Sequence, residues 1–440
     1  MALMVKHNLA AINTLNQLNK NDSALQKDVQ RLSSGMKING AADDASGYAI
    51  ADKMDVQVRS LGQNEQNTQN GKSLLQTAEG AIDSTVSILR TLKEKVINAA
   101  NDTNTDVDRQ TIQKALDQAV DQLDDNANVQ YNGEPLMNGS HNSKVLYPGT
   151  YTTFSNSSLA VDTNTQFTPL IKLCQRSGGS LGIQIGDTIS VSYVKGGKTI
   201  VSEPIEVKKR TALVDVFHNV QDVVSVANPA DGAYLGQDQY GNKVYTPDHI
   251  PALTYCASQP GLNGQIAGLT FNVVGRDGQT NNLANGKLNN FEEVIHAQDP
   301  SEDNAIIIHS GARANQNVKV GLANMGSVAL GLRANDGTVL NVCTQASANA
   351  AINALDNALK KALDQQTMLG SIEDRLGYTQ DNIVTSKENT QASMSTIRDA
   401  DMAHEYTEHA KHSILTQSAQ AMLAQANQNS SSVLSLLQGQ

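Results

Sequence analysis

Apolar residues recur at intervals of three and four near both ends of the chain and give way to alternating patterns in the middle. At the amino end Val5, Leu9 and Ile12 step by four and three. Leu18, Leu25, Val29 and Leu32 continue a seven-residue spacing that Asp22 interrupts. A heptad stripe is narrow, so it suits packing on another helix better than covering a broad core. Toward the other end Ile414, Leu415, Met422, Leu423, Val433, Leu434, Leu436 and Leu437 fall at helical spacing, and from His412 to Gln440 there is no Asp, Glu, Lys or Arg. An uncharged helix rich in Ala, Gln and Ser needs a partner to cover such positions, so both ends are read as assembly surfaces.

Between the ends the pattern changes twice. Residues 33–47 hold the glycines and capping residues of a bend, after which helix resumes near Tyr48. Leu75, Ile82, Leu89 and Val96 repeat every seven residues, with Ala78, Thr85, Leu92 and Ala99 between them. Asn101 to Thr105 break the run, and Ile112, Leu116, Ala119 and Leu123 predict a helix returning antiparallel. From Tyr131 to about Ile308 glycine and proline become frequent. Ile189–Val194 and Thr199–Ser202 flank Lys195-Gly196-Gly197-Lys198, which is hairpin chemistry, and Leu269–Val274 reads as a further strand. Leu213, Val216, Phe217, Val220 and Val224 predict one helix there, and Val318–Val320 with Thr338–Leu340 another hairpin. Helix returns near Ala346 through Ile352, Leu355, Leu359, Leu369, Ile372, Leu376 and Ile383, and Asp399–Met402 mark a last bend.

The expected fold is therefore mainly α with an inserted α+β or mostly β region, long antiparallel coiled-coil helices coming from both termini. The expected divisions are an N-terminal core helix (1–45), the N-terminal part of an inner helical domain with a connecting segment (46–178), and a variable outer domain (179–305). The C-terminal part of the inner domain (306–398) and a C-terminal core helix (399–440) complete the plan.

Composition narrows the function. Aromatics are 4% of the 440 residues and tryptophan is absent, which disfavours an aromatic-anchored pocket and favours a scaffold of aliphatic seams. A net charge of −11 argues against nucleic acid or an anionic membrane as partner. The longest basic run, Lys208-Lys209-Arg210, reads as a solvated strand end. Cys174, Cys256 and Cys343 are widely spaced and fit neither a disulfide framework nor a thiolate metal site. The first residues lack the apolar core of a secretory signal, and no apolar stretch is long enough to cross a membrane, so export without a cleaved signal is expected.

Candidate chemistry is weak. His404-Glu405-Tyr406-Thr407-Glu408-His409 places its histidines at i and i+5, off the shared helix face that a zinc protease motif needs. In Lys195-Gly196-Gly197-Lys198-Thr199, Ser192 stands where a phosphate-binding loop has its first glycine and no helix follows. The Thr150–Ser158 stretch is read as a solvated loop, open to O-linked glycans if it faces outward. No catalytic residue, metal ligand or cofactor is assigned.

Specific motifs accompany the mirrored plan. Asn8-Leu9-Ala10-Ala11, Leu32-Ser33-Ser34-Gly35-Met36-Lys37-Ile38-Asn39, Ala41-Ala42-Asp43-Asp44-Ala45-Ser46-Gly47, Ala78-Glu79-Gly80-Ala81 and Gln130-Tyr131-Asn132-Gly133 follow one another, and Arg398-Asp399-Ala400-Asp401-Met402-Ala403 and Gln420–Asn427 come near the end. In these motifs the chain resembles bacterial flagellin, with the centre, roughly 140–305, matching less well.

The resemblance implies a structural subunit, not an enzyme, that self-assembles into the extracellular flagellar filament for swimming. Its outermost segments would line the filament core and order on polymerisation. It also implies type III export, an export chaperone, and cap and hook-associated proteins as partners. Readings kept beside it are a hook–filament junction protein and a flagellin frame displaying an adhesin or enzyme in the middle. The family's face for a Toll-like innate immune receptor usually reads Leu-Gln-Arg-x-Arg-Glu-Leu with a later Glu. Here Leu89-Arg90-Thr91-Leu92-Lys93-Glu94-Lys95 stands in its place, with Ala115 where that Glu is expected. Thr91 removes a planar donor fork, Lys95 puts charge at an apolar anchor and Ala115 removes a carboxylate, so weak receptor binding is expected.

Overall fold

The computed structural model describes residues 8–159, 167–218, 220, 222–225, 234–246 and 252–438, the side chains of 218, 225 and 433–438 excepted. Among the described residues run seven α-helices: α1 (Leu9–Ser34), α2 (Ala45–Ala99), α3 (Asp106–Ala127), α4 (Leu213–His218), α5 (Asn282–Leu288), α6 (Gln345–Arg398) and α7 (Met402–Gln438). Strands fill the region between α3 and α6, so the fold is mainly α with a β-rich insertion, as the patterns predict. The chain forms two compact units, one of residues up to Asn67 with 309–316 and 378–440, the other of 68–308 with 317–377.

In the second unit the heptad positions of α2 sit in one core. Leu75, Ile82, Leu89 and Val96 are buried, as are Ala78, Thr85, Leu92 and Ala99 between them. Leu116, Val120 and Leu123 of α3 pack on that stripe, together with Leu355, Leu369 and Leu376 of α6. Asn101 to Thr105 turn the chain, and Thr105 caps α3 by accepting the Asp108 N–H at 3.3 Å. Buried Arg109 fastens the turn: its Nε donates to the Ala99 carbonyl at 2.9 Å and Nη2 to the Asn101 carbonyl at 3.1 Å, taking up acceptors left at the α2 terminus.

The β-rich region has its own core. One four-stranded antiparallel sheet runs in the order Glu292–Ile295, Thr153–Asn156, Leu253–Ala257, Val223–Ser225. In the other, Thr188–Lys195 is flanked by Ile266–Val274 and by Lys198–Val201, and Ile205–Glu206 also pairs with it. Phe217 and Tyr255 lie with ring centroids 4.1 Å apart, and Phe271 and Phe291 at 5.5 Å. Four of the chain's five phenylalanines, with Tyr193 and Tyr255, thus sit where two small sheets need large side chains to fill a core.

Helix α6 seals the open edge of Ile266–Val274. Asn353 and Asn357 donate side-chain N–H groups to the carbonyls of Leu269, at 3.1 Å, and Ala267, at 2.7 Å. Such pairing satisfies backbone that an edge strand otherwise leaves open. The approach needs Gly268, because a Cβ there would come within 2.6 Å of the Ala354 amide nitrogen. Alanines 348, 351, 354, 358 and 362 give α6 the same closeness to its neighbours.

Several expectations are corrected. Thr152, Thr153, Phe154, Ser155 and Asn156 form no solvated loop: they are buried, and Thr153–Asn156 is an inner strand of its sheet. Phe154, Leu159, Leu170 and Leu173 are buried in the same cluster as the sheets. Val224 belongs to a strand and not to the α4 helix, which ends at His218. Asn317–Val320 pairs with Ile306–His309, while Val339 makes an isolated bridge to Arg333. Helix α5 carries too few apolar residues to announce itself. The Lys195–Lys198 hairpin is as expected, with those two residues opposite each other.

Candidate assembly surface

The first unit is built on α1 and α7. Asn8 caps α1 by accepting the Ala11 N–H at 3.0 Å, and Gly35 ends it in the left-handed region at φ 70°, its N–H returning to the Arg31 carbonyl at 2.8 Å. At the other end of the chain Asp401 accepts the N–H groups of Ala403 at 3.0 Å and His404 at 3.3 Å, starting α7. The two bends are tied by an antiparallel bridge between Met36 and Asp399. The Lys37 N–H donates to the Arg398 carbonyl at 2.8 Å and the Ala400 N–H to the Gly35 carbonyl at 2.9 Å. From this clasp α1 and α7 run side by side.

Polar side chains set their register. Arg31 Nη1 lies 3.4 Å from Glu405 Oε1, His412 Nδ1 lies 2.6 Å from Asp28 Oδ2, and Asn8 Nδ2 donates to the Ala426 carbonyl at 3.1 Å. Partner numbers rise along α7 as they fall along α1, so the pair is antiparallel. The buried residues of α1 are Asn21 and Asp28; on α7, among the described residues, they are Glu405, Thr416 and Ala419. Leu18, Leu25 and Leu32 are half-buried. Leu423 is half-buried as well, whereas Leu9 at 59% exposed and Ile414 and Met422 each at 62% face solvent, with Ile12, Leu15, Val29 and Leu415 beside them.

This inverts the usual distribution, in which an amphipathic helix turns its apolar stripe inward and keeps charges outside. A pair that hides carboxylates and shows leucines is half of a larger structure, and a row of exposed aliphatics is what a protein interface buries.

Both ends of the chain match family models, residues 5–142 that for the bacterial flagellin N-terminal helical region and residues 352–437 that for the C-terminal helical region. A flagellin of Clostridium tyrobutyricum is 31% identical over 97% of this chain and 99% of its own. The chain belongs to the bacterial flagellin family. A flagellin of Bacillus subtilis is 27% identical over 99% of this chain and all of its own length. The flagellar junction protein FlgL of Legionella pneumophila aligns with 79% of this chain at 13% identity and a TM-score of 0.32, too slight a likeness to favour the junction reading. As a flagellin, the chain is a structural subunit of the flagellar filament. Among the described residues no helix is long and apolar enough to cross a membrane.

The structure places the expected assembly residues on two helices of one unit. Leu9, Ile12, Leu18, Leu25, Val29 and Leu32 lie along α1, and Ile414, Leu415, Met422 and Leu423 along α7. Val5 and the side chains of Val433, Leu434, Leu436 and Leu437 lie outside the described residues. What the sequence reading missed is the polar set: Asn21, Asp28, Arg31, Glu405 and His412. Its signal was present, since Asn21 and Asp28 are seven residues apart, a polar heptad beside the leucine one. Of the receptor-equivalent positions, Arg90, Thr91, Glu94 and Lys95 are exposed and Ala115 half-buried, whereas Leu89 is wholly inside the inner core.

Proposed function

We propose that α1 and α7 form the layer through which copies of this chain contact one another in the filament, and that their apolar faces become ordered and covered only there. The observation that carries this reading is the inverted α1–α7 pair, which buries Asp28 and Glu405 while exposing Leu9, Ile414 and Met422. Covering each such aliphatic side chain contributes about 2 kcal/mol, and the sum over both helices has to offset the entropy of ordering them. Salt favours growth by screening repulsion between subunits of net charge −11. After salt addition the purified chain should grow long fibres by itself in electron micrographs, and helical circular dichroism should rise from monomer to fibre. A chain that yields no fibres alone, or whose ends are already fully helical as monomer, sinks this reading. Export through the flagellar type III apparatus, with a chaperone before assembly and cap and hook-associated proteins at the fibre ends, completes the reading.

The innate-receptor face is proposed to be weak. Thr91 spends its hydroxyl on the Ser87 carbonyl at 3.1 Å, and Lys93 is drawn to Asp356 at 2.5 Å. No bidentate guanidinium fork is offered at position 91, and Leu89 is unavailable as an anchor. In reporter cells bearing the receptor, potency should fall at least about tenfold below that of a strongly stimulatory flagellin, the loss of roughly one anchor contact. Equal potency would refute this.

A further inference from the structure

Helix α6 holds the two sheets of the β-rich region by different chemistry. Against Ile266–Val274 it presents Asn353 and Asn357, whose amides carry no charge at any ordinary pH. Against Glu292–Ile295, the edge strand of the other sheet, and the residues just after it, α6 presents Lys360, Lys361 and Asp364. Lys360 Nζ donates to Glu292 Oε2 at 3.1 Å near the surface. Deeper lies Glu293, 2% exposed, and it faces His296.

His296 is wedged between carboxylates of two elements. Its Nδ1 lies 3.1 Å from Glu293 Oε1, three residues before it, and its Nε2 lies 3.6 Å from Asp364 Oδ2 on α6. Neither atom of the closer contact has hydrogen-bond geometry, so charge is what joins them. The backbone that carries the ring is fixed on either side: the His296 carbonyl accepts the Thr150 hydroxyl at 2.6 Å, and the Gln298 carbonyl the Thr150 N–H at 3.0 Å. A polar cavity of about 310 Å³, lined by His296, Lys361, Asp364 and Asp299, gives water a route to the ring. Asp299 is itself engaged, accepting the Leu262 N–H at 2.9 Å.

Protonated, the ring compensates Glu293, a carboxylate too deeply buried for water to solvate. Neutral, it leaves that carboxylate to Lys361, whose Nζ already donates to the Ala329 carbonyl at 2.6 Å. Burial opposes the charged ring and Lys361 repels it, but Asp364 and Glu293 outweigh both and hold its pKa above the ordinary value. A histidine pKa raised by folding adds stability that is complete below the ordinary value of about 6.5 and disappears as pH climbs past the raised one. Lys361 acts in the opposite sense: burial lowers its pKa against the pull of Glu293, so the stability it withholds is regained as pH rises through its lowered value.

We propose that His296 is a proton-operated latch of the β-rich region. Charged, its ring fastens the edge strand Glu292–Ile295 to α6; neutral, it loosens that strand while Asn353 and Asn357 keep the other sheet in place.

The test is hydrogen exchange of the full chain, read by mass spectrometry between about pH 6 and about pH 9, each rate divided by the chemical exchange rate at that pH. Peptides covering 290–297 should lose protection at least about tenfold as pH rises, and those covering 266–274 should change by less than about twofold. H296Q, with no ring to titrate, should leave 290–297 equally protected throughout. E293Q should move the His296 titration midpoint, followed by proton NMR of the ring, to lower pH than in the parent. Should H296Q not fold, the E293Q titration decides alone. The latch is overturned if the two strands respond alike in the parent, if H296Q responds as the parent does, or if the His296 midpoint lies at or below the ordinary value or is unmoved by E293Q.

Discussion

Changing Ile414 and Met422 together to glutamate is expected to abolish filament growth while leaving the purified chain folded. Both side chains are largely exposed on α7, so little packing within the subunit is lost with them. On the proposed assembly layer the cost falls on the polymer, where the same positions would meet neighbouring copies. A carboxylate taken from water into an apolar contact without a partner costs several kcal/mol, and every subunit would carry two. Because each 1.4 kcal/mol is a factor of ten, the concentration needed for growth should rise by about a thousandfold or more, beyond reach in ordinary preparations. Sedimentation and electron microscopy measure the polymer, and calorimetry of the monomer checks that the second unit melts as before. Fibres forming at the parent's concentration would show that this face of α7 is not a subunit contact.

How much of this was legible from sequence depended on periodicity. Leu75, Ile82, Leu89 and Val96 announced the inner core because a seven-residue repeat survives in sequence whatever the partner is. The Lys195–Lys198 hairpin was legible because its two glycines adopt positive φ, 53° and 68°, a conformation that few other residues take. Thr152 to Asn156 misled because the strand is buried on both faces: no polar and apolar alternation remains, and threonine and serine read as solvent-facing when their hydroxyls in fact serve the sheet. Thr152 Oγ1, for example, accepts the Ile266 N–H at 3.3 Å. The terminal helices gave the reverse case. Their apolar positions were plain, but the side on which they lie was not, because helical spacing fixes a face without saying what it faces.

That missing direction is supplied by Asp28 and His412, and their contact leads to a second strong effect. Asp28 is buried on α1, and His412 Nδ1 lies 2.6 Å from its carboxylate. Replacing His412 by leucine strands the carboxylate, and breaking a buried pair by removing one member costs about 3–5 kcal/mol in a closed interior. With part of this discounted for the openness of a two-helix contact, H412L should raise the growth threshold by roughly a hundredfold. The double variant D28L/H412L carries no stranded charge, so its threshold should return to within about tenfold of the parent, since apolar replacement of a whole buried pair is often neutral or stabilising. Its fibres should nonetheless vary in helical pitch: Arg31 and Glu405 alone would then set the charged register of two helices that slide on apolar faces. Threshold concentrations from sedimentation give the coupling by a double-mutant cycle, and electron microscopy gives the pitch. If the double variant is as impaired as H412L, the two residues act separately, and the register of α1 on α7 is set by something other than this pair.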